Sequence, residues 1–109
     1  MIKAGIYHTP DVPYAYALDE NTLYLKIQTA KEDIKNVTVY YKDRHQYEKP
    51  FQQVLMNRIL GSEIFDYYEV ELVNVDKKFR YFFELIDEEG NSFYYNERGI
   101  MNERPDVPQ

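Results

Sequence analysis

The chain has 109 residues, with 19 acidic against 13 basic side chains and a formal net charge of −6. That length suits one domain with a real core, the acidic balance disfavours a grip on phosphate backbones, and the lack of cysteine excludes disulfides, thiolate nucleophiles and cysteine-bound zinc. Twelve tyrosines and six phenylalanines, with no tryptophan, are too many aromatics for a disordered acidic segment.

Residues 2–7 and 14–18 read as short strands separated by Thr9-Pro10-Asp11-Val12-Pro13, whose two prolines interrupt any ladder. The start of the chain lacks the long apolar centre of a signal peptide, and no stretch approaches the roughly 20 apolar residues that span a bilayer. No membrane and no nucleic acid is therefore expected as a partner, and a cytoplasmic location is the expectation. Residues 22–29 place Leu23, Leu25 and Ile27 on one face and Tyr24, Lys26 and Gln28 on the other, the period of a half-buried strand. Residues 36–42 repeat the pattern with Val37, Val39 and Tyr41 inward and Tyr40 outward. Residues 51–59 fit either a strand or a short helix. Residues 66–73 turn Tyr68, Val70 and Leu72 inward against Glu69 and Glu71.

Residues 78–86 are apolar on both faces, with Phe79, Tyr81, Phe83 and Leu85 alternating with Arg80, Phe82, Glu84 and Ile86, which marks a central strand. Asp87-Glu88-Glu89-Gly90-Asn91 then supplies a hairpin turn, and Ser92-Phe93-Tyr94-Tyr95 runs back. Seven or eight short strands at this spacing predict an all-β, antiparallel β-sandwich. Its expected core is Leu23, Leu25, Ile27, Val37, Val39, Val70, Leu72, Phe79, Tyr81 and Phe83. Residues 1–101 form one predicted domain, and the polar, proline-bearing residues 102–109 read as a linker toward a further domain.

Chemistry is harder to place. Glycoside hydrolysis needs two carboxylates at a set separation around a cleft, and the sequence singles out no such pair among its acids. His8 and His45 lie far apart without the spacing of a zinc site, the glycines form no phosphate loop, and Asp87-Glu88-Glu89 lacks the spacing of a calcium loop. No catalytic residue, metal or other cofactor is expected. The tyrosine surplus is the informative excess, since a phenol ring has an apolar face for a sugar or a protein and a hydroxyl that hydrogen-bonds. Inward tyrosines belong to the core, and Tyr24 and Tyr40 fit cross-strand packing as well as a ligand. The loop candidates are Tyr7 with His8, Tyr14 with Tyr16, and Tyr41-Lys42-Asp43-Arg44-His45-Gln46-Tyr47.

Three segments in order carry a resemblance. They are Ala4-Gly5-Ile6-Tyr7-His8 with Tyr14-Ala15-Tyr16; Val39-Tyr40-Tyr41-Lys42-Asp43-Arg44; and Gly61-Ser62-Glu63-Ile64-Phe65-Asp66-Tyr67-Tyr68, running on to Arg80-Tyr81-Phe82-Phe83-Glu84-Leu85 and Tyr94-Tyr95-Asn96-Glu97-Arg98-Gly99. Nearly the whole chain resembles the amino-terminal domain of neopullulanases, cyclomaltodextrinases and maltogenic amylases. The resemblance implies an immunoglobulin-like fold and a noncatalytic module that binds α-glucan oligosaccharides. It also implies a catalytic barrel elsewhere in the parent chain, and a dimer in which this domain lies over the partner's active-site cleft. The loop at residues 43–50 then becomes the expected sugar-facing edge, with His45 and Tyr47 offering ring faces and Arg44 offering donors. The alternative is that Arg44 pairs with a surface acid and Tyr47 caps the sandwich end, in a domain that only supports or dimerises its parent. Two positions depart from the family pattern, His45 where tyrosine is frequent and Tyr68 where tryptophan is frequent.

Overall fold

The computed structural model describes residues 5–9, 12–43, 51–59, 61–73, 79–96 and 99–101. Nine strands follow in chain order: β1 Ala15–Ala17, β2 Thr22–Ala30, β3 Ile34–Asp43, β4 Gln52–Leu55, β5 Asn57–Ile59, β6 Phe65–Val73, β7 Phe79–Asp87, β8 Ser92–Asn96 and β9 Gly99–Met101. They form a four-stranded sheet in the order β1-β2-β6-β5 and a five-stranded sheet in the order β4-β3-β7-β8-β9, every pair antiparallel. The all-β sandwich agrees with the alternating pattern, and the described residues contain no α-helix.

The count of nine differs from the expected seven or eight by two additions and one loss: of the strand expected at residues 2–7, the described part, residues 5–7, holds an isolated bridge at Tyr7 and no named strand. Residues 51–59 are neither one strand nor a helix. Met56 is buried between β4 and β5 and its amide donates to the Val37 carbonyl at 2.8 Å, so the chain leaves the five-stranded sheet and joins the four-stranded one within a single residue. The second addition is β9, three residues that pair with β8.

The inner faces meet as the period predicts. Leu25, Ile27, Val37, Val39, Val70, Leu72 and Phe83 are buried in one core cluster, and Leu23 and Tyr81 pack against it partly buried. The side chain of Phe79 lies outside the described residues. Tyr68 is fully enclosed, and its hydroxyl donates to the Ile34 carbonyl at 2.8 Å, which satisfies the one polar atom that a ring buried there brings with it.

Strand β7 is central, between β3 and β8, and its two apolar faces have separate partners. Phe83 and Leu85 point into the main core, while Phe82 lies on the outer face. There Tyr40 stacks on Phe82 with centroids 4.8 Å apart, and Tyr94, Phe51 and Met101 complete a second cluster. Tyr40 is thus on the outer face as its parity requires, yet only 5% exposed.

The β7–β8 hairpin forms where the turn residues predicted it. The Asp87 carboxylate accepts from the amides of Glu89 and Asn91, and Gly90 takes a φ of 89° that a side chain would strain. Gly61 answers a different need. A Cβ there would collide with the Phe65 carbonyl, and the neighbouring Ser62 hydroxyl accepts from the amides of Ile64 and Phe65 as the chain turns into β6.

Candidate functional site

Residues 44–50 of the loop expected to face sugar lie outside the described residues, and with them Arg44, His45 and Tyr47, while Asp43 ends β3. The flanks of the loop are described. The Tyr41 hydroxyl donates to Gln52 Oε1 at 3.2 Å across β3 and β4, and Lys42 Nζ sits 4.8 Å from the centre of the Phe51 ring.

The other loop candidates separate sharply. Residues 6–8 run along the edge of β2, where Tyr7 and Gln28 exchange both backbone hydrogen bonds. Extended backbone sends alternate side chains to opposite faces, so Ile6 enters the core and Tyr7 stays 46% exposed on the outside. His8 points inward with Ile6. Its Nδ1 lies 2.6 Å from the Lys26 carbonyl and its Nε2 lies 2.9 Å from the Tyr81 hydroxyl, with Phe83 against the ring at 4.8 Å. A carbonyl only accepts, so Nδ1 carries the proton, and Nε2 accepts from Tyr81. Burial holds the His8 pKa below its usual value, partly offset by the Lys26 carbonyl. Burial likewise pushes Tyr81 up to about 12. His8, expected beside Tyr7 as a displayed recognition residue, is a structural link between the two sheets.

Tyr14 and Tyr16 belong with Tyr7. Strand β1 lies at the edge of the four-stranded sheet, with Tyr16 paired to Tyr24 in register and Tyr14 accepting from the Lys26 amide through its carbonyl. The Tyr16 and Tyr24 rings lie 4.8 Å apart, and the Tyr7 and Tyr14 rings meet edge to face at 4.9 Å. Between these pairs the Lys26 ammonium sits 5.3 Å from the Tyr14 ring centre and 5.4 Å from that of Tyr67. The Tyr67 hydroxyl donates to Gln28, and that of Tyr24 donates to Glu69 at 2.6 Å. Burial first and the Glu69 carboxylate second raise the Tyr24 pKa well above 10. Glu69 is therefore a partner within this face, while Glu71 beside it is solvent-exposed.

Five tyrosines thus share one sheet face. Tyr67 was absent from the candidates, although its place opposite Gln28 follows from parity once β2 and β6 are known to pair. Parity reveals faces but not neighbours. Among the described residues, no group of three or more His, Asp or Glu side chains could hold a metal ion. The two buried carboxylates among the described residues are both occupied: Asp87 accepts from the Glu89 and Asn91 amides in the hairpin turn, and Asp66 Oδ2 accepts from the Glu32 amide at 2.8 Å and from Arg58 at 3.1 Å, with Lys31 Nζ 3.3 Å from Oδ1.

Compared with known proteins, residues 1–108 match the family described as the alpha amylase N-terminal ig-like domain. The chain belongs to that family. It is 44% identical over 106 residues to a cyclomaltodextrinase of Thermoanaerobacter pseudethanolicus, covering 97% of this chain and 18% of that protein. It is 30% identical over 105 residues to neopullulanase 2 of Thermoactinomyces vulgaris, covering 95% of this chain and 18% of that one. A solved cyclomaltodextrinase structure superposes with a TM-score of 0.87 at 27% identity, over 96% of this chain and 18% of the other. The family domain therefore spans less than a fifth of the length of these relatives. Its immunoglobulin-like architecture agrees with the two antiparallel sheets. No described helix is long and apolar enough to cross a membrane.

Proposed function

We propose that this domain is the noncatalytic N-terminal module of a cytoplasmic, α-amylase-type glycoside hydrolase. In this reading it holds α-glucan chains and helps two subunits pair so that it lies over the partner's active-site cleft. The observation that carries the proposal is the family match across residues 1–108. Support also comes from the names of the relatives, a cyclomaltodextrinase and a neopullulanase, which are enzymes of α-glucans. The hydrolytic chemistry is assigned to the rest of the parent protein, because the buried carboxylates described here are engaged elsewhere, Asp66 with Arg58 and Lys31 and Asp87 with the amides of its hairpin turn, and form no facing pair across a cleft.

Within this reading the loop at residues 43–50 remains the proposed edge toward the partner's cleft, with His45 and Tyr47 stacking and Arg44 donating. In the full-length enzyme His45→Tyr should tighten cyclodextrin binding and Tyr47→Ala should weaken it, each by about 0.5–1.5 kcal/mol. Unchanged affinity in both folded variants would remove the loop from the site. The broader proposal is tested by reading the coding region around the chain, where an α-amylase-type barrel is expected. Titration of the labelled domain with maltoheptaose is the second test, and amide signals should move in a cluster. A silent titration would favour the other reading, a domain that only supports or dimerises its parent. The many intramolecular ring and hydroxyl contacts of the tyrosines are the observation on that side.

A further inference from the structure

We propose that the outer face of the four-stranded sheet is a binding platform for an α-glucan chain, with the exposed rings of Tyr7 and Tyr16 stacking on its sugar units. The proposal rests on the reading that this domain holds α-glucan, and it names a surface separate from the loop at residues 43–50.

Tyr16 on β1 and Tyr7 on the segment bridged to β2 lie along the same edge of the sheet, opposite Tyr24 and Gln28 respectively. Those partners are four residues apart, a rise of about 14 Å along a strand. That spacing calls for an oligosaccharide and is too long for a single sugar ring. Each exposed ring is held by a second one, Tyr16 by Tyr24 at 4.8 Å and Tyr7 by Tyr14 at 4.9 Å. Tyr24 is itself fixed by its hydrogen bond to Glu69. Rings already ordered in the free protein lose little freedom when a ligand stacks on them.

The polar groups between the rings choose the chemistry of the occupant. Lys26 brings a cation with several donors, while Glu69 and Glu71 on the neighbouring strand bring acceptors. Two carboxylates against one ammonium, on a chain of net charge −6, repel a polyanion and leave nothing that requires a charged ligand. The charge complement of this face is a neutral chain that offers flat C–H surfaces to the rings and hydroxyls to the groups between them. The exposed aliphatic side chains near this sheet stand at its margins, Leu18 and Val73 beside Thr22, Ile64 beside Lys31 at the other end and Val12 ahead of β1, while the positions between the two exposed rings are aromatic or polar.

The test is a titration of the 15N-labelled 109-residue chain with maltoheptaose, followed by amide shifts, for the native sequence and for Tyr7→Ala, Tyr16→Ala and Tyr16→Phe. Shifts should cluster on residues 7, 16, 24, 26 and 69. Each alanine variant should bind about three- to tenfold more weakly, and Tyr16→Phe should stay within about twofold of the native chain. Undisturbed amide dispersion shows that each variant is folded, which the exposure of both rings leads one to expect. Shifts confined to residues 44–50 would overturn the platform and leave the glucan reading standing. A silent titration would overturn both. If the same amides move on raising protein concentration without sugar, the face pairs with a second copy of the chain and the proposal fails.

Discussion

Burial favours the neutral form of His8, and in that form Nδ1–H donates to the Lys26 carbonyl while the Nε2 lone pair accepts from the Tyr81 hydroxyl. Burial lowers its folded pKa below the ordinary 6.5, so the unfolded chain takes up the proton first as pH falls. Stability from this group is complete above about 6.5 and declines below it, since the unfolded state then binds more protons. Urea unfolding midpoints at pH 7.5 and 5.5 should differ in the native chain, and His8→Gln should shrink that difference. An equal difference in both proteins would show that other groups set the pH response. Asp66 behaves in the opposite range. Burial raises its pKa, but the Glu32 amide, Lys31 and Arg58 outweigh that, and the net pKa falls below 3.8. Its contribution is present above that value and lost as pH drops through the lowered folded one. Asp66→Ala strips an acceptor from the Glu32 amide and from Arg58, and should cost roughly 1–3 kcal/mol in denaturant unfolding. Neither role was legible in the sequence. A histidine next to an exposed tyrosine looks displayed, and only the pairing of Tyr7 with Gln28 shows that its neighbours must face inward.

Strand identity was far easier to read, because the buried face of each long strand repeats every second residue. Leu25 and Ile27 on β2 and Val37 and Val39 on β3 are fully enclosed, as their parity predicts. Leu25→Ala should therefore cost roughly 2–5 kcal/mol, whereas Leu55→Ala, on a side chain 61% exposed, should stay within about 0.5 kcal/mol. A comparable loss at both positions would mean that Leu55 is covered in solution and that the outward side of β4 is misjudged. The short strands resisted reading for a definite reason. Three or four residues hold too few repeats for a period, and β4 and β5 follow each other without a turn residue between them. Met56 makes the transition instead, by filling the core while its amide reaches Val37. The outer-face cluster of Tyr40, Phe82 and Tyr94 was half legible. The apolar outward side of β7 announced a central strand, but the partners covering it come from β3 and β8, which only the topology brings alongside.

At the scale of the whole molecule, periodicity assigns faces and leaves open which strands are neighbours, so the division into sheets of four and five strands had to come from the structure. That division decides where tyrosines gather. It also bears on association, because a stable interface usually buries about 800 Å² on each partner, roughly a ninth of the 7235 Å² surface of this chain. Among the described residues the exposed large aliphatic side chains are scattered: Val12 lies ahead of β1, Leu55 on the outer side of the five-stranded sheet, Ile64 before β6, and Leu18 and Val73 at one end of the other sheet, whose exposed rings are Tyr7 and Tyr16. Repulsion between copies carrying a net charge of −6 adds to the cost of self-pairing. The proposed dimer of the parent enzyme further places much of the contact on the partner's catalytic barrel, which a 109-residue domain does not supply. Sedimentation of the isolated domain at micromolar concentration should therefore show a monomer or a weak dimer. Added salt should screen the repulsion and shift the balance slightly toward the dimer. A tight dimer under these conditions would mean that the sandwich carries its own pairing surface, and would move the balance of functions from glucan recognition toward assembly.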